Sequence, residues 1–167
     1  MLFNSYEFIL VFLPITVVFY YFLIFLKKEK LSLFFLLLSS ICFYGWFKVS
    51  YLLILFFSII FNYFISFYLT KQIKWRKIFL ILGITVNVLL LTYYKYFNFL
   101  IENINYIFGL SFLENSIITP IAISFFTFQQ IAFLIDIYNR GYVGYTFLNF
   151  CTFVTFFPQL IAGPIVH

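Results

Sequence analysis

From Val49 to Thr70 the chain reads VSYLLILFFSIIFNYFISFYLT, a run without a charged residue that stops against Lys71. It is long enough to cross a hydrocarbon core as a helix, which takes about 17 to 25 residues. Outward from it the charges fall into gaps, leaving further uncharged segments at 8 to 26, 31 to 47, 78 to 94, 115 to 135 and 141 to 166. With 65% hydrophobic and 9% charged residues among 167, and a mean hydropathy of +1.11, there is more apolar surface than a water-soluble domain of this size buries. The fold class that follows is all-α integral membrane, a polytopic helical bundle with about six spanning or re-entrant segments. No Ser/Gly-rich or Pro-rich linker and no fixed repeat divides it, so residues 1–167 read as a single membrane domain.

The charges also give an orientation. Cytoplasmic loops retain Lys and Arg. Alternating the gaps sets Lys27, Lys28, Lys30, Lys71, Lys74, Arg76, Lys77 and Arg140 on one side, against Lys48 and Lys95 on the other. The first group is read as cytoplasmic, which puts the amino terminus outside the cytoplasm. Segment 8 to 26 is expected to be retained, because no basic region precedes it and no A-x-A-like cleavage site follows. The net charge of +5 flanks apolar segments, so the partner it fits is the lipid bilayer and not nucleic acid. The 29 Phe and 14 Tyr are spread through every segment, as lipid-facing, packing and interfacial belt residues are. Cys42 and Cys151 sit inside apolar segments without C-x-x-C spacing and read as buried small hydrophobes. No phosphate loop, metal-ligand spacing or nucleophile elbow is present.

Within the segments, Gly83 and Asn87 are four apart, which makes one helix face small and polar and suited to packing against a neighbour. Residues 96 to 108 place Phe97, Leu100, Ile101, Ile104, Ile107 and Phe108 on one stripe and Asn98, Glu102 and Asn105 opposite it. That pattern describes one interfacial amphipathic helix on the outer side. The segment from Thr119 to Asp136 starts with Pro120 near its first turn, where proline is tolerated. Its Ser124, Thr127 and Gln130, with Asp136 beyond the end, are expected to face the protein interior or a hydrated cavity. Asp136 and Arg140, four apart, are spaced for a local ion pair. The run Phe156-Phe157-Pro158-Gln159-Leu160-Ile161-Ala162-Gly163-Pro164-Ile165-Val166-His167 interrupts apolar sequence with two prolines, a glycine and a glutamine. Gly163 permits close approach or positive φ, the prolines release carbonyls, and Gln159 donates and accepts. Pro158, Gln159, Gly163 and Pro164 are therefore read as an element that turns back within the membrane, with a kink satisfied by neighbouring helices as the alternative.

The strings PIAISFFTFQQIAFLIDIYNRG and FLNFCTFVTFFPQLIAGPIVH, with MLFNSYEFILVFLPITVVFYY, FYGWF and YYKYFNF before them, resemble the membrane-bound O-acyltransferase family. The resemblance is to the amino-terminal part of its bacterial alginate O-acetylation and teichoic-acid D-alanylation branch. It implies an enzyme that passes an acyl group from a cytoplasmic donor, acetyl-CoA or an acyl carrier, to hydroxyls of an envelope polysaccharide outside. It further implies a periplasmic or extracellular acyltransferase partner, no covalently bound cofactor, and a wall of the acyl-donor tunnel at Pro158, Gln159, Gly163 and Pro164. The family's catalytic histidine belongs to a later helix and matches nothing here. His167 stands where the family more often has a basic residue such as arginine, and lacks the surroundings that would orient a general base. The chain by itself is thus expected to be inactive. The alternatives are a non-catalytic polytopic subunit or scaffold, and a transporter, which would call for paired broken segments and intramembrane charges.

Overall fold

A computed structural model describes residues 5–46, 48–71, 74–109, 119–120, 122–141 and 145–162. Most of these residues are helical, with no strand among them, as lipid demands of a backbone that must satisfy its own polar groups. A π-helical turn at Phe8–Phe12 leads into α1 (Leu13–Phe25), followed by α2 (Glu29–Gly45), α3 (Val49–Thr70) and α4 (Arg76–Leu91). A second π-helical turn at Thr92–Tyr96 leads into α5 (Phe97–Phe108), and α6 (Ile123–Arg140), α7 (Phe147–Thr155) and α8 (Phe157–Ala162) complete the order. The π-turn before α1 has a local cause. Pro14 has no N–H to give the carbonyl four residues back, and the Leu13 N–H reaches the Phe8 carbonyl instead.

Helices end where the charges begin. Lys27 takes a left-handed φ of 55° and the Lys28 N–H closes on the Leu23 carbonyl at 3.0 Å. Among the described residues three helical runs are long and apolar enough to cross a membrane: Phe8–Phe25, Val49–Thr70 and Arg76–Phe108. The last of these carries two findings. The amphipathic helix expected at 96 to 108 is present as α5, with no buried residue, but it follows α4 through the π-turn in one helical run, with no Pro or Gly between them. The segment 141 to 166 is not one spanning helix. α7 has 9 residues and α8 has 6, roughly 14 Å and 9 Å at 1.5 Å per residue, against a core of about 30 Å.

The chain forms two compact units. Among the described residues one comprises 5–63 with 145–162, and the other 64–141. In the first, α1 and α7 pack on α2, and α8 touches α2 as well. Phe8, Phe12, Phe43 and Phe157 form an aromatic cluster with ring centroids 5.3 to 6.0 Å apart. Ser39 and Ser40 are buried on the packed face of α2, and their hydroxyls donate back to the Phe35 and Leu36 carbonyls, so small polar residues are carried through the apolar helix without orphaned donors.

In the second unit α4 packs on α6. The small face expected at Gly83 and Asn87 makes that contact. A Cβ on Gly83 would lie 2.6 Å from Leu134 Cδ1 and 3.2 Å from Ile65 Cγ2, and buried Asn87 spends its amide on the Gly83 carbonyl at 2.8 Å. At the opposite end from Lys95, Arg76 ties three helices together. Its Nε donates to the Leu69 carbonyl at 2.7 Å, and its Nη2 donates to the Ile137 and Tyr138 carbonyls at 2.9 and 2.6 Å. The start of α4 and the ends of α3 and α6 therefore lie together, on the side where the alternating count puts Lys71, Lys74, Arg76, Lys77 and Arg140.

Candidate functional site

The polar residues of α6 divide by helix geometry. Ile123, Thr127, Gln130, Leu134 and Ile137 repeat at three and four residues and form its buried stripe. Thr127 and Gln130 are each 0% exposed. Ser124 is half-buried, and its Oγ accepts a hydrogen bond from Lys95 Nζ at 3.0 Å. α6 runs past Asp136 to Arg140, and 136 falls off the buried stripe, with its carboxylate exposed among the described residues. It makes no ion pair with Arg140, which is also exposed. The end of α6 is instead held by Arg76, through carbonyls and through the Tyr138 ring 4.9 Å from its guanidinium carbon.

The entry to α6 differs from the one expected. Pro120 lies before the helix and not in its first turn, and the Ile123 N–H reaches the Pro120 carbonyl at 3.4 Å. Ala122 takes the cap position with φ 60° and ψ 15°, and no side chain caps the helix. Thr127 Oγ1 has no hydrogen-bond partner among the described residues, and neither does Gln129 Oε1, one residue away from the expected set. Gln129 was legible as a second amide inside the apolar stretch. A polar stripe on α3 was also missed: Ser58, Asn62 and Ser66, spaced by four and buried. Asn62 Nδ2 donates to the Ser58 carbonyl at 2.9 Å, a pattern that serves helix packing.

Lys95, counted from sequence as part of an outer loop, sits in the π-turn of a continuous helix. It lies 19 residues after Arg76, roughly 29 Å along the axis, close to one hydrocarbon thickness. Beside it the Thr119 hydroxyl donates to the Tyr94 carbonyl at 3.0 Å.

Pro158 and Gln159 belong to the other unit. The break that precedes them is at Phe156, whose ψ of 107° leaves the helix. Pro158 is the second residue of α8, where its missing N–H is harmless, and the Gln159 N–H closes on the Phe156 carbonyl at 3.1 Å. Both are half-buried. The threonines beside the break bond within their own helix, Thr152 to the Leu148 carbonyl and Thr155 to the Cys151 carbonyl. Two short helices around an irregular residue fit a partly spanning element. Gly163, Pro164 and His167 lie outside the described residues. Cys151 is buried as expected, whereas Cys42 is exposed.

No protein-family model matches the chain, and no solved structure matches it. Curated proteins do, over 100% of its length. It is 37% identical to a peptidoglycan O-acetyltransferase of Helicobacter pylori, covering 37% of that protein. It is 37% identical to a protein of Pseudomonas aeruginosa named "Probable alginate O-acetylase AlgI", covering 33% of it, and 35% identical to its namesake in Pseudomonas putida, covering 35%. The chain thus spans about a third of the length of these relatives. The resemblance read from its motifs extends along the whole chain to named O-acetylating proteins, and its apolar helices make it a multi-pass membrane protein.

Proposed function

We infer that this chain is part of a membrane-bound O-acyltransferase. The complete protein moves an acyl group, acetyl above others, from a cytoplasmic donor to hydroxyls of an extracytoplasmic envelope polysaccharide. The observation that carries this is the similarity, over the whole chain, to proteins named for O-acetylation of two chemically unlike polysaccharides. The transferred group is common to both names and the acceptor is not, so the reading commits to acetyl and to the polymer class. The donor is acetyl-CoA or an acyl carrier. The site is the cytoplasmic membrane with the amino terminus outside, and a periplasmic or extracellular acyltransferase completes transfer.

The geometry supports this in two respects. Acyl passage across a bilayer calls for irregular backbone and inward polar groups where protein covers them. The break at Phe156 ahead of Pro158 and Gln159 supplies the first, and Thr127 and Gln130 inside α6 supply the second. The clustering of basic residues at the Arg76 end of the second unit supports the orientation. The test is deletion of the whole gene, followed by measurement of ester-linked acetate on each purified envelope polysaccharide. One polymer is expected to lose its acetate and to regain it on complementation. Unchanged acetate on all of them would exclude the reading.

A further inference from the structure

The turn between α1 and α2 breaks three local rules within four residues. Lys27 holds a left-handed φ of 55°, a conformation that glycine takes freely and a lysine only under constraint. Lys28 stands at the cap of α2 with no side chain capping the helix, where Ser, Thr, Asp or Asn would satisfy a free N–H. Lys30 follows in the first turn, although the dipole there is positive and repels a cation. Glu29 suits that dipole, but it is the one acid beside three lysines. Retention of basic residues near the end of a span asks for none of these particular positions, and departures from local preference that gather in one place point to a use for it. Lys27, Lys28, Glu29, Lys30 and Leu31 line an open groove of about 460 Å³. All five are exposed, and no ion pair engages the three ammonium groups among the described residues.

The apolar surroundings decide which anion fits. Leu31 lines the groove and begins an exposed stripe of Leu31, Phe34 and Leu38, spaced by three and four along α2. Across the turn Phe25 and Leu26 are exposed at the end of α1. Phe8–Phe25 is long and apolar enough to cross a membrane, so the residues just past its end stand at headgroup level, and the stripe on α2 leads away from them among the lipid chains. We propose that this groove binds the phosphodiester of an anionic phospholipid, with Lys27, Lys28 and Lys30 holding the phosphate and Leu31, Phe34 and Leu38 carrying the adjoining acyl chain. A soluble phosphate or nucleotide meets the same cations but has nothing to lay along the stripe. The choline of a zwitterionic lipid offsets its own phosphate, so the groove selects for net negative charge. The proposal depends neither on the O-acyltransferase reading nor on which side of the membrane the turn faces.

The test measures lipid binding to the natural gene product in micelles by native mass spectrometry, with phosphatidylglycerol and phosphatidylcholine of identical acyl chains as probes. The wild type should bind its first phosphatidylglycerol about ten- to a hundredfold tighter than phosphatidylcholine, as two or three lysines at about fivefold each require. Lys27→Gln, Lys28→Gln and Lys30→Gln should each cut that preference about three- to fivefold, and the triple variant should bring it within about twofold of none. Glu29→Gln should act in the opposite sense and tighten phosphatidylglycerol about two- to fivefold. Lys74→Gln combined with Lys77→Gln, two exposed cations of the other unit, should leave the preference intact. An unchanged preference in the triple variant, weaker binding in Glu29→Gln, or an equal loss in the Lys74 and Lys77 pair, which would mean diffuse electrostatics, would each overturn the proposal. Glycerophosphoglycerol, the same headgroup without chains, and inorganic phosphate should not compete at millimolar concentration; displacement of the lipid by either makes this a site for soluble phosphate and refutes the lipid assignment. Should the triple variant not be recovered, the single variants and salt decide: the wild-type preference must fall with ionic strength, and a salt-insensitive preference refutes the groove.

Discussion

Replacing Arg76 by alanine removes donors from three carbonyls at once, those of Leu69, Ile137 and Tyr138 at 2.7, 2.9 and 2.6 Å. All three belong to the last turns of α3 and α6, where the dipole is negative, and the Ile137 carbonyl also accepts the Gly141 N–H at 3.0 Å. A hydrogen bond to a charged group contributes about 1.5 to 3 kcal/mol, so the gross figure for three is roughly 5 to 9 kcal/mol. Arg76 is only half-buried and interfacial water can take over some of these carbonyls, which lowers the net cost to about 2 to 4 kcal/mol. Arg76→Lys should recover less than half, because one ammonium on a flexible stem does not bridge two helix ends as a planar fork does. The assay is reversible unfolding of the natural gene product in mixed micelles with increasing SDS. If Arg76→Ala lies within about 0.5 kcal/mol of wild type, or Lys serves as well as Arg, the three-helix tie contributes nothing and the reasoning fails.

Four further predictions concern single positions, each measured on the natural gene product. Gly83→Ala sets about 1 kcal/mol of helix propensity against a Cβ that must push aside Leu134 Cδ1 at 2.6 Å. It should be nearly neutral, while Gly83→Leu should cost about 3 kcal/mol or more, and Leu134→Ala combined with Gly83→Leu should cost less than the sum. At Ala122, with φ 60°, glycine should hold or raise stability by up to about 1 kcal/mol, and valine should lower it by about 1 to 2 kcal/mol; a more stable valine variant would contradict the left-handed cap. Thr127→Val removes a buried hydroxyl without a partner among the described residues and should stabilise by about 1 kcal/mol or more, and a loss of stability would mean that the hydroxyl has a structural partner. Gln159→Ala should impair acyl transfer or donor affinity with little effect on unfolding, and wild-type kinetics would remove Gln159 from the tunnel wall.

Helix limits were legible at three of the charged gaps. The uncharged segments 8 to 26, 31 to 47 and 49 to 70 coincide within a few residues with helices ending at Phe25, Gly45 and Thr70, because desolvating Lys or Glu is costly, whereas the helical run from Arg76 passes through Lys95 to Phe108. Thr127 and Gln130 were legible for a related reason, since polar groups in an apolar stretch are driven inward. What was not legible depends on partners distant in sequence. Pro158 announces a break near Phe156, but not the packing of Phe157 into the cluster with Phe8 and Phe43 that accompanies it. The Arg76 acceptors are likewise backbone atoms, which carry no side-chain signature. The helical phase that turns Asp136 away from the buried stripe of α6 was legible only once the start of α6 at Ile123 is known.

The Arg76 tie also sets an order of events during synthesis. Its first acceptor, Leu69, precedes it in the chain, but Ile137 and Tyr138 follow 61 and 62 residues later. At about 5 to 20 residues per second, α6 leaves the ribosome roughly 3 to 12 seconds after Arg76. For that interval the guanidinium has only α3 to hold it, and the membrane interface must accommodate its remaining donors. The last turn of α6 therefore acts as a latch, and the second unit is locked only when its final helix has been inserted.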